Sequence, residues 1–344
     1  MKEITVIGID LAKNVFQIHG NDKHGKKVFK KRVRRPELLS TIAQIKPCLI
    51  GMEACCGAHH WARSFKQLGH DARLMNPLYV KPYIKTNKTD ANDAAGIAEA
   101  VSRPSMRFVP IKSEQQLDIQ MLHRVRSRLV KLRTQLSNQT RGLLGERGLV
   151  IPQGYAALRK KLHQFLDDEQ KTLSPITREV IEDLYDEFIQ LDQREKKYKQ
   201  QMQNLAKQIV QYQYLMSIPG VGPITATILG AELEGNHGFT KGRQVSSWLG
   251  LVPKQNSSGD KIRHQGISKR GDRYIRSLLI HGARSVVNNA ANKSDPYSLW
   301  VTQLAERIGV NKASVAVANK NARIAWRLIN DKKIFNSEEA VLVH

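Results

Sequence analysis

Apolar residues recur along this chain in two different rhythms. Up to about residue 112 they form short runs separated by turn residues. Ile4 to Ile9 is β-branched and apolar, the pattern of a buried strand. Val15 to His19 predicts a second strand, and Lys26 to Val33 a third whose lysines and arginines suit an exposed sheet edge. Pro36 opens a helix running to Ile45, because proline fits a first helical turn. Cys48 to Met52 predicts another buried strand, Ala58 to Leu68 a helix, and Asp71 to Met75 a fifth strand. Three strands, a helix, a strand, a helix and a strand make a mixed α/β sheet.

From about 113 to 212 the rhythm changes to steps of three and four. Leu122, Val125, Leu129, Leu132 and Leu136 keep it, as do Ile181, Leu184, Phe188 and Leu191, and then Tyr198, Met202, Leu205, Ile209 and Tyr212, with Glu195 as the interruption. Such heptads predict long helices in an antiparallel or intermolecular coiled coil. From 213 to 344 compact helices with glycine turns follow. The expected organisation is therefore an α/β domain over 1–112, a coiled-coil region over 113–212 and a mostly helical domain over 213–344.

Charge adds a partner to this picture. The chain has 344 residues, 55 Lys plus Arg against 31 Asp plus Glu, and a formal net charge of +24. Polyanions are attracted to such a surface, nucleic acid first and an anionic membrane second. From Lys241 to His344 there are 18 Lys plus Arg against 7 Asp plus Glu, a net of +11, which fits a DNA-facing segment. Arg124, Arg126, Arg128, Lys131 and Arg133 either track a phosphate backbone or form a solvated face. There is no apolar run long enough to span a bilayer and no signal-peptide pattern, and three cysteines make no disulfide framework. The expectation is a cytoplasmic, nucleoid-associated protein with no membrane partner.

Two acids sit where strands end: Asp10 in Gly8-Ile9-Asp10 and Glu53 in Gly51-Met52-Glu53. If the strands are neighbours, both carboxylates leave the sheet at one rim. Asp90 and Asp93 stand three apart, on one face if helical. Four converging acids repel one another unless cations sit among them. Magnesium, with manganese as a substitute, suits hard carboxylate oxygens, and paired ions stabilise the attacking and leaving oxygens of phosphoryl transfer. Singly, each acid is a turn, surface or capping residue. Cys55/His59 and Cys56/His60 have the four-residue spacing of a helical zinc site, against packing and helix-start roles.

The strings Ile7-Gly8-Ile9-Asp10-Leu11-Ala12-Lys13, Gly51-Met52-Glu53-Ala54-Cys55 and Lys85 to Ala94 resemble the DEDD transposases, the insertion-sequence family numbered 110, closest to its 1111 subgroup. The resemblance implies a ribonuclease-H-like (RuvC-like) fold. It also implies that Asp10, Glu53, Asp90 and Asp93 are the four metal-binding catalytic acids.

Farther along, Pro219-Gly220-Val221-Gly222 reads as the hairpin of a helix-hairpin-helix element. Its backbone N–H groups, at Gly220 and Gly222, would bind phosphate; the other reading is a tight turn between packed helices. Ser257-Ser258-Gly259 lies among basic residues, and a hydroxyl there attacks a phosphodiester only if something activates it. Otherwise it is a loop. The resemblance assigns a covalent serine–DNA intermediate to Ser258, with Ser257 adjacent. Arg263, Lys269, Arg270, Arg273 and Arg276 are the candidate phosphate contacts. The resemblance further implies a structured non-coding guide RNA beside donor and target DNA, and assembly as homodimers or homotetramers. The function expected is excision and integration of an insertion sequence. The alternatives are a hydrolytic, magnesium-dependent resolvase-like nuclease and an inactive nucleic-acid-binding scaffold.

Overall fold

The computed structural model describes residues 3–84, 89–167, 173–234, 238–258 and 261–342, with backbone alone for 256–258, 261–264 and 342. The chain divides into two compact units, residues 1–115 with 234–238, and residues 116–233 with 239–344.

The first unit is built on a six-stranded sheet. Its strands are β1 (Val6–Asp10), β2 (Val15–Asn21), β3 (Lys27–Arg34), β4 (Leu49–Glu53), β5 (Asp71–Met75) and β6 (Phe108–Val109), in the spatial order β3-β2-β1-β4-β5-β6. β1, β4 and β5 run parallel, while β2, β3 and β6 pair antiparallel with their neighbours. This mixed sheet agrees with the sequence pattern and is consistent with a ribonuclease-H-like domain. The two-residue β6 was not expected.

Helices cover both faces. α1 (Leu38–Ala43) and α2 (Ala58–Gln67) pack on one face, where Ile7, Ile9, Phe16, Ile18, Ile50, Met52 and Leu74 form a core with Trp61 and Phe65. The other face takes α3 (Pro77–Val80) and α4 (Asp90–Val101), with Met75, Val80, Ile97 and Val101 buried together. Glycines make this second packing possible. Gly8 and Gly51 are register partners on parallel strands. A Cβ on Gly8 would lie 2.2 Å from the Ala94 carbonyl oxygen, and one on Gly51 would lie 2.6 Å from Val101 Cβ. The helix therefore lies flat on two side-chain-free positions.

The second unit is mostly helical: α5 (Glu114–Gly145, whose first two residues belong to the first unit), α6 (Tyr155–Leu166), α7 (Pro175–Gln208), α8 (Val210–Met216), α9 (Pro223–Leu233), α10 (Gly242–Trp248), α11 (Arg273–Asn289), α12 (Pro296–Ile308), α13 (Val310–Asp331) and α14 (Ser337–Leu342). Leu129, Leu136, Leu158, Leu162, Ile181, Phe188 and Leu191 join α5, α6 and α7 in one apolar cluster. Arg126 Nη2 lies 2.7 Å from Glu195 Oε1, and Arg133 pairs with Asp192 and, at 3.5 Å, with Glu195. As the α5 number rises the α7 number falls, so the heptad helices meet antiparallel within one chain. Glu195, the break in the apolar rhythm, is the acid that receives both arginines. The predicted helix through Tyr212 is broken at Ile209, whose backbone is extended.

His123 ties α5 to α9 and α11. It lies 3.0 Å from Thr227 Oγ1 through Nε2 and 3.0 Å from the Tyr274 hydroxyl through Nδ1. Thr227 gives its own proton to the Pro223 carbonyl. The consistent assignment has Nε2–H donating to Thr227 and Nδ1 accepting from Tyr274. Burial, helped by the charge on Arg126, pushes the imidazole pKa down to about 4. One hairpin interrupts the helices, β7 (Pro253–Ser258) with β8 (Lys261–Ile267), where the sequence predicted helices and turns. Among the described residues, no helix is long and apolar enough to cross a membrane.

Candidate active site

Strand register places the first two acids side by side. Ile9 pairs with Met52 across the parallel β1–β4 ladder, and the next residues, Asp10 and Glu53, end their strands together. Alternation sends Ile9 and Met52 into the α1–α2 core, so Asp10 and Glu53 emerge on the opposite face, the one α4 covers. Both are half-buried. Their charges also reach one neighbour in common: burial first, then Glu53 and Asp10, hold the Cys55 thiol above its ordinary pKa.

The second pair arrives on α4. Thr89 caps this helix, its side chain accepting from Asn92 N at 3.3 Å, so Asp90 and Asp93 occupy the first turn. Acids there are favoured by the helix dipole. Because Ala94 rests on Gly8, Asp93 is held close above the strand that ends at Asp10. Asp93 is half-buried and Asp90 exposed.

One atom tests whether this donor set suits a metal. Asp93 Oδ1 is buried and has no hydrogen-bond partner. Such an oxygen costs free energy unless a cation or donor meets it. Four carboxylates are also the donors a hard divalent cation takes. The residues fit magnesium in kind. Yet among the described residues no group of three or more His, Cys, Asp or Glu side chains stands close enough to hold an ion. Closing round one therefore requires the carboxylates to turn inward. The spacing argument for zinc fails outright. Cys55 and Cys56 precede Gly57, the left-handed N-cap of α2, so they are not on the helix that carries His59 and His60. His59 Nδ1 instead lies 3.2 Å from Lys112 N and accepts its hydrogen bond.

In the second unit, Ser217 to Gly222 joins α8 to α9. Gly220 has φ +82° and packs against α11, where a Cβ on Gly282 would lie 1.9 Å from its carbonyl oxygen. Gly220 thus serves a close helix packing, while a Cβ on Gly222 would meet nothing within 4 Å. Ser257 and Ser258 end β7, opposite Ile262 and Lys261, and Arg263 sits on β8 opposite Asn256; the side chains of Ser257, Ser258 and Arg263 lie outside the described residues.

Lys269, Arg270 and Arg273 are exposed beside the start of α11, which Asp272 caps by accepting from Tyr274 N and Ile275 N. Arg276 corrects the expectation for it. The residue is 7% exposed, and its Nη1 donates to Leu249 O at 3.0 Å and to Gly271 O at 3.4 Å. It braces the turn at Gly271, between Arg270 and the start of α11. Arg126 and Arg133, by the same measure, are neither a phosphate track nor a solvated face, being spent on Asp192 and Glu195.

Residues 7–147 match the DEDD transposase model of the insertion-sequence 110 group, and residues 212–298 match the model described as "Transposase IS116/IS110/IS902 family". A "Probable family 20 transposase" of Pseudomonas aeruginosa is 47% identical, covering 94% of this chain and 96% of its own. The "Transposase for insertion sequence element IS1111A" of Coxiella burnetii is 45% identical over 97% of this chain and 92% of its own. The chain belongs to this transposase family. The "Transposase for insertion sequence element IS1328" of Yersinia enterocolitica is 37% identical over 98% of the chain and its own full length. Transposases of the DEDD type act on DNA by phosphoryl transfer.

What the sequence reading of this transposase missed is the pair Gly8 and Gly51. Each stands two residues before its strand-end acid, and the shared spacing in Gly8-Ile9-Asp10 and Gly51-Met52-Glu53 was the available signal.

Proposed function

We propose that this transposase excises and integrates an insertion sequence by cutting and rejoining DNA at the rim formed by Asp10, Glu53, Asp93 and Asp90. The observation that carries the reading is the placement of Asp10 and Glu53 at paired strand ends, with the partnerless Asp93 Oδ1 on the helix seated above them. Those four carboxylates would hold Mg2+, or Mn2+ in its place. A bound ion there would neutralise charge on the scissile phosphate and lower the pKa of an attacking group.

The attacking group in this reading is Ser258. Its Oγ forms a bond to phosphorus as the bond to one strand's bridging oxygen breaks. The serine proton would pass to a general base, and the departing oxygen would take a proton in turn. The support is the resemblance of Ser257-Ser258-Gly259 to the family's serine motif, within a span, 212–298, that matches the family. Rejoining reverses the step with the oxygen of another strand end. Exposed Lys269, Arg270 and Arg273, together with Arg263, would hold backbone phosphates, with the N–H groups of Gly220 and Gly222 as further contacts. Arg276 is left out because it is buried. A structured RNA from the element and assembly as dimers or tetramers belong to the same reading.

A trapping assay tests it. Full-length protein with Mg2+ and an element-end duplex is expected to yield a covalent protein–DNA adduct. The adduct is lost in Ser258→Ala, kept in Ser257→Ala, and lost together with all cutting in Asp10→Asn. Cutting that persists in Ser258→Ala would select the hydrolytic nuclease, and cutting that persists in Asp10→Asn would remove the acids from the chemistry. Sequencing RNA co-purified with the protein tests the guide.

A further inference from the structure

The face of the sheet that carries Asp10 continues outward into a row of cations. Asp10 pairs with Gln17 on β2, and Gln17 pairs with Arg32 on β3. Directly paired residues share a face, so Glu53, Asp10, Gln17 and Arg32 form one row across four strands. Strands lie about 4.8 Å apart, which puts the Arg32 backbone about 10 Å from that of Asp10. Along β3, Lys30 and Arg34 flank Arg32 on the same face, each about 7 Å away. The opposite face of β3 settles the orientation: Val33 is buried and Phe29 half-buried in the α1–α2 core.

Lys30, Arg32 and Arg34 are all exposed. Among the described residues their side chains form no ion pair, although surface cations elsewhere do, as Arg103 does with Glu99 and Arg73 with Asp71. β3 is the sheet edge. Helix α4 packs on β1, β2 and β4, leaving β3 as an open shelf beside it. A cleft of about 750 Å³ opens between α4 and the β2–β3 hairpin, reached by Lys27 at one end and by Asn92, the neighbour of Asp93, at the other. Its acids are already engaged: Asp22 accepts from the backbone of His24 and Lys26, and Glu99 holds Arg103.

We infer that β3 is a backbone-binding rail for the DNA strand that enters the acid rim, with Arg32 holding a phosphate next to the scissile one and Lys30 and Arg34 holding its neighbours. A strand that presents cations at every second residue contacts a phosphate chain without reading bases. Such a rail supplies register: it sets which phosphate reaches Asp10 and Glu53. The inference rests on the acid rim being the cutting site, as proposed above.

The test is salt-dependent DNA binding without metal, so that binding is read apart from chemistry. Full-length protein freed of nucleic acid is titrated with a labelled element-end duplex in EDTA across a range of salt. Each phosphate contact contributes about 0.9 to the slope of log affinity against log salt. The triple variant Lys30→Gln/Arg32→Gln/Arg34→Gln is expected to lower that slope by about 2 to 3. Arg32→Lys should keep the wild-type slope, and Lys46→Gln, on a lysine paired with Glu3, should not change it. An unchanged slope in the triple variant, at unchanged melting temperature, overturns the rail. So does a slope that changes for a structured RNA of the element but not for the duplex. Asp10→Asn separates the two readings: it should bind with the wild-type slope while failing to cut. If it cuts, the acid-rim reading falls and the binding result still judges the shelf.

Discussion

The carbonyl oxygen of Ala94 lies 2.2 Å from the place a Cβ on Gly8 would occupy, so the helix bearing Asp90 and Asp93 is seated on a strand that must have no side chain there. The contact sets α4, and with it Asp90 and Asp93, on the face of the sheet where Asp10 and Glu53 emerge. Gly8→Ala is expected to push α4 off the sheet and to cost about 1–3 kcal/mol, the range for overpacking a tight contact. Strand cutting should fall much further than stability does. Urea unfolding and single-turnover cleavage, run side by side, check this; cleavage at the wild-type rate in a folded Gly8→Ala protein would show that the seat does not set the site.

Asp93→Asn removes the charge while keeping the shape. Because Oδ1 has no partner, the metal-free protein should melt at or above the wild-type temperature. The rise in melting temperature that Mg2+ gives the wild type should shrink, and EDTA should abolish it in both. Cleavage should fall at least about 100-fold, the upper end of what loss of an outer-shell partner alone costs a metal site. Unaltered Mg2+ stabilisation in the variant would take Asp93 out of the metal set.

Glu195 is 5% exposed and faces two arginines. Glu195→Ala takes the carboxylate from Arg126 and leaves Arg133 to Asp192 alone, and should cost about 3 kcal/mol, as breaking a buried pair does. A loss below about 1 kcal/mol, the value of an exposed pair, would mean that water reaches this cluster.

His123 makes the second unit acid-sensitive. The unfolded chain takes up the imidazole proton near pH 6.5, but the folded protein resists it until about 4. Stability from this residue is therefore complete above pH 6.5 and drains away as pH falls toward 4. The loss approaches about 3 kcal/mol at the lower end. Unfolding free energies measured across that window should slope less steeply in His123→Gln. Parallel slopes would exclude the imidazole as the cause.

How much of this was legible in the residues depends on what holds each element together. β1 to β5 could be read because each carries apolar side chains to a core, and the edge position of β3 followed from its lysines. β7 and β8 could not, since Pro253 to Ser258 and Lys261 to Ile267 show little apolar alternation and are joined by backbone pairing. The heptads foretold the long helices and left open whether partners lie in one chain; Arg126, Arg133 and Glu195 answer that with charge, where an apolar rhythm is silent. Asp10 and Glu53 were visible as strand-end acids. The seating of the Asp93 helix over their strands was not, because it depends on Gly8 and Gly51, residues whose contribution is the absence of a side chain.

The charged shelf on β3 has a second consequence. An edge strand offers unpaired N–H and C=O groups to any other sheet, and lysines and arginines are a common means of keeping such an edge from sticking to its neighbours. On this strand the deterrent and the proposed DNA contact are the same side chains. A version of the enzyme selected for looser DNA binding by losing Lys30, Arg32 and Arg34 would also lose its guard against sheet-to-sheet aggregation, so solubility itself would hold this surface basic.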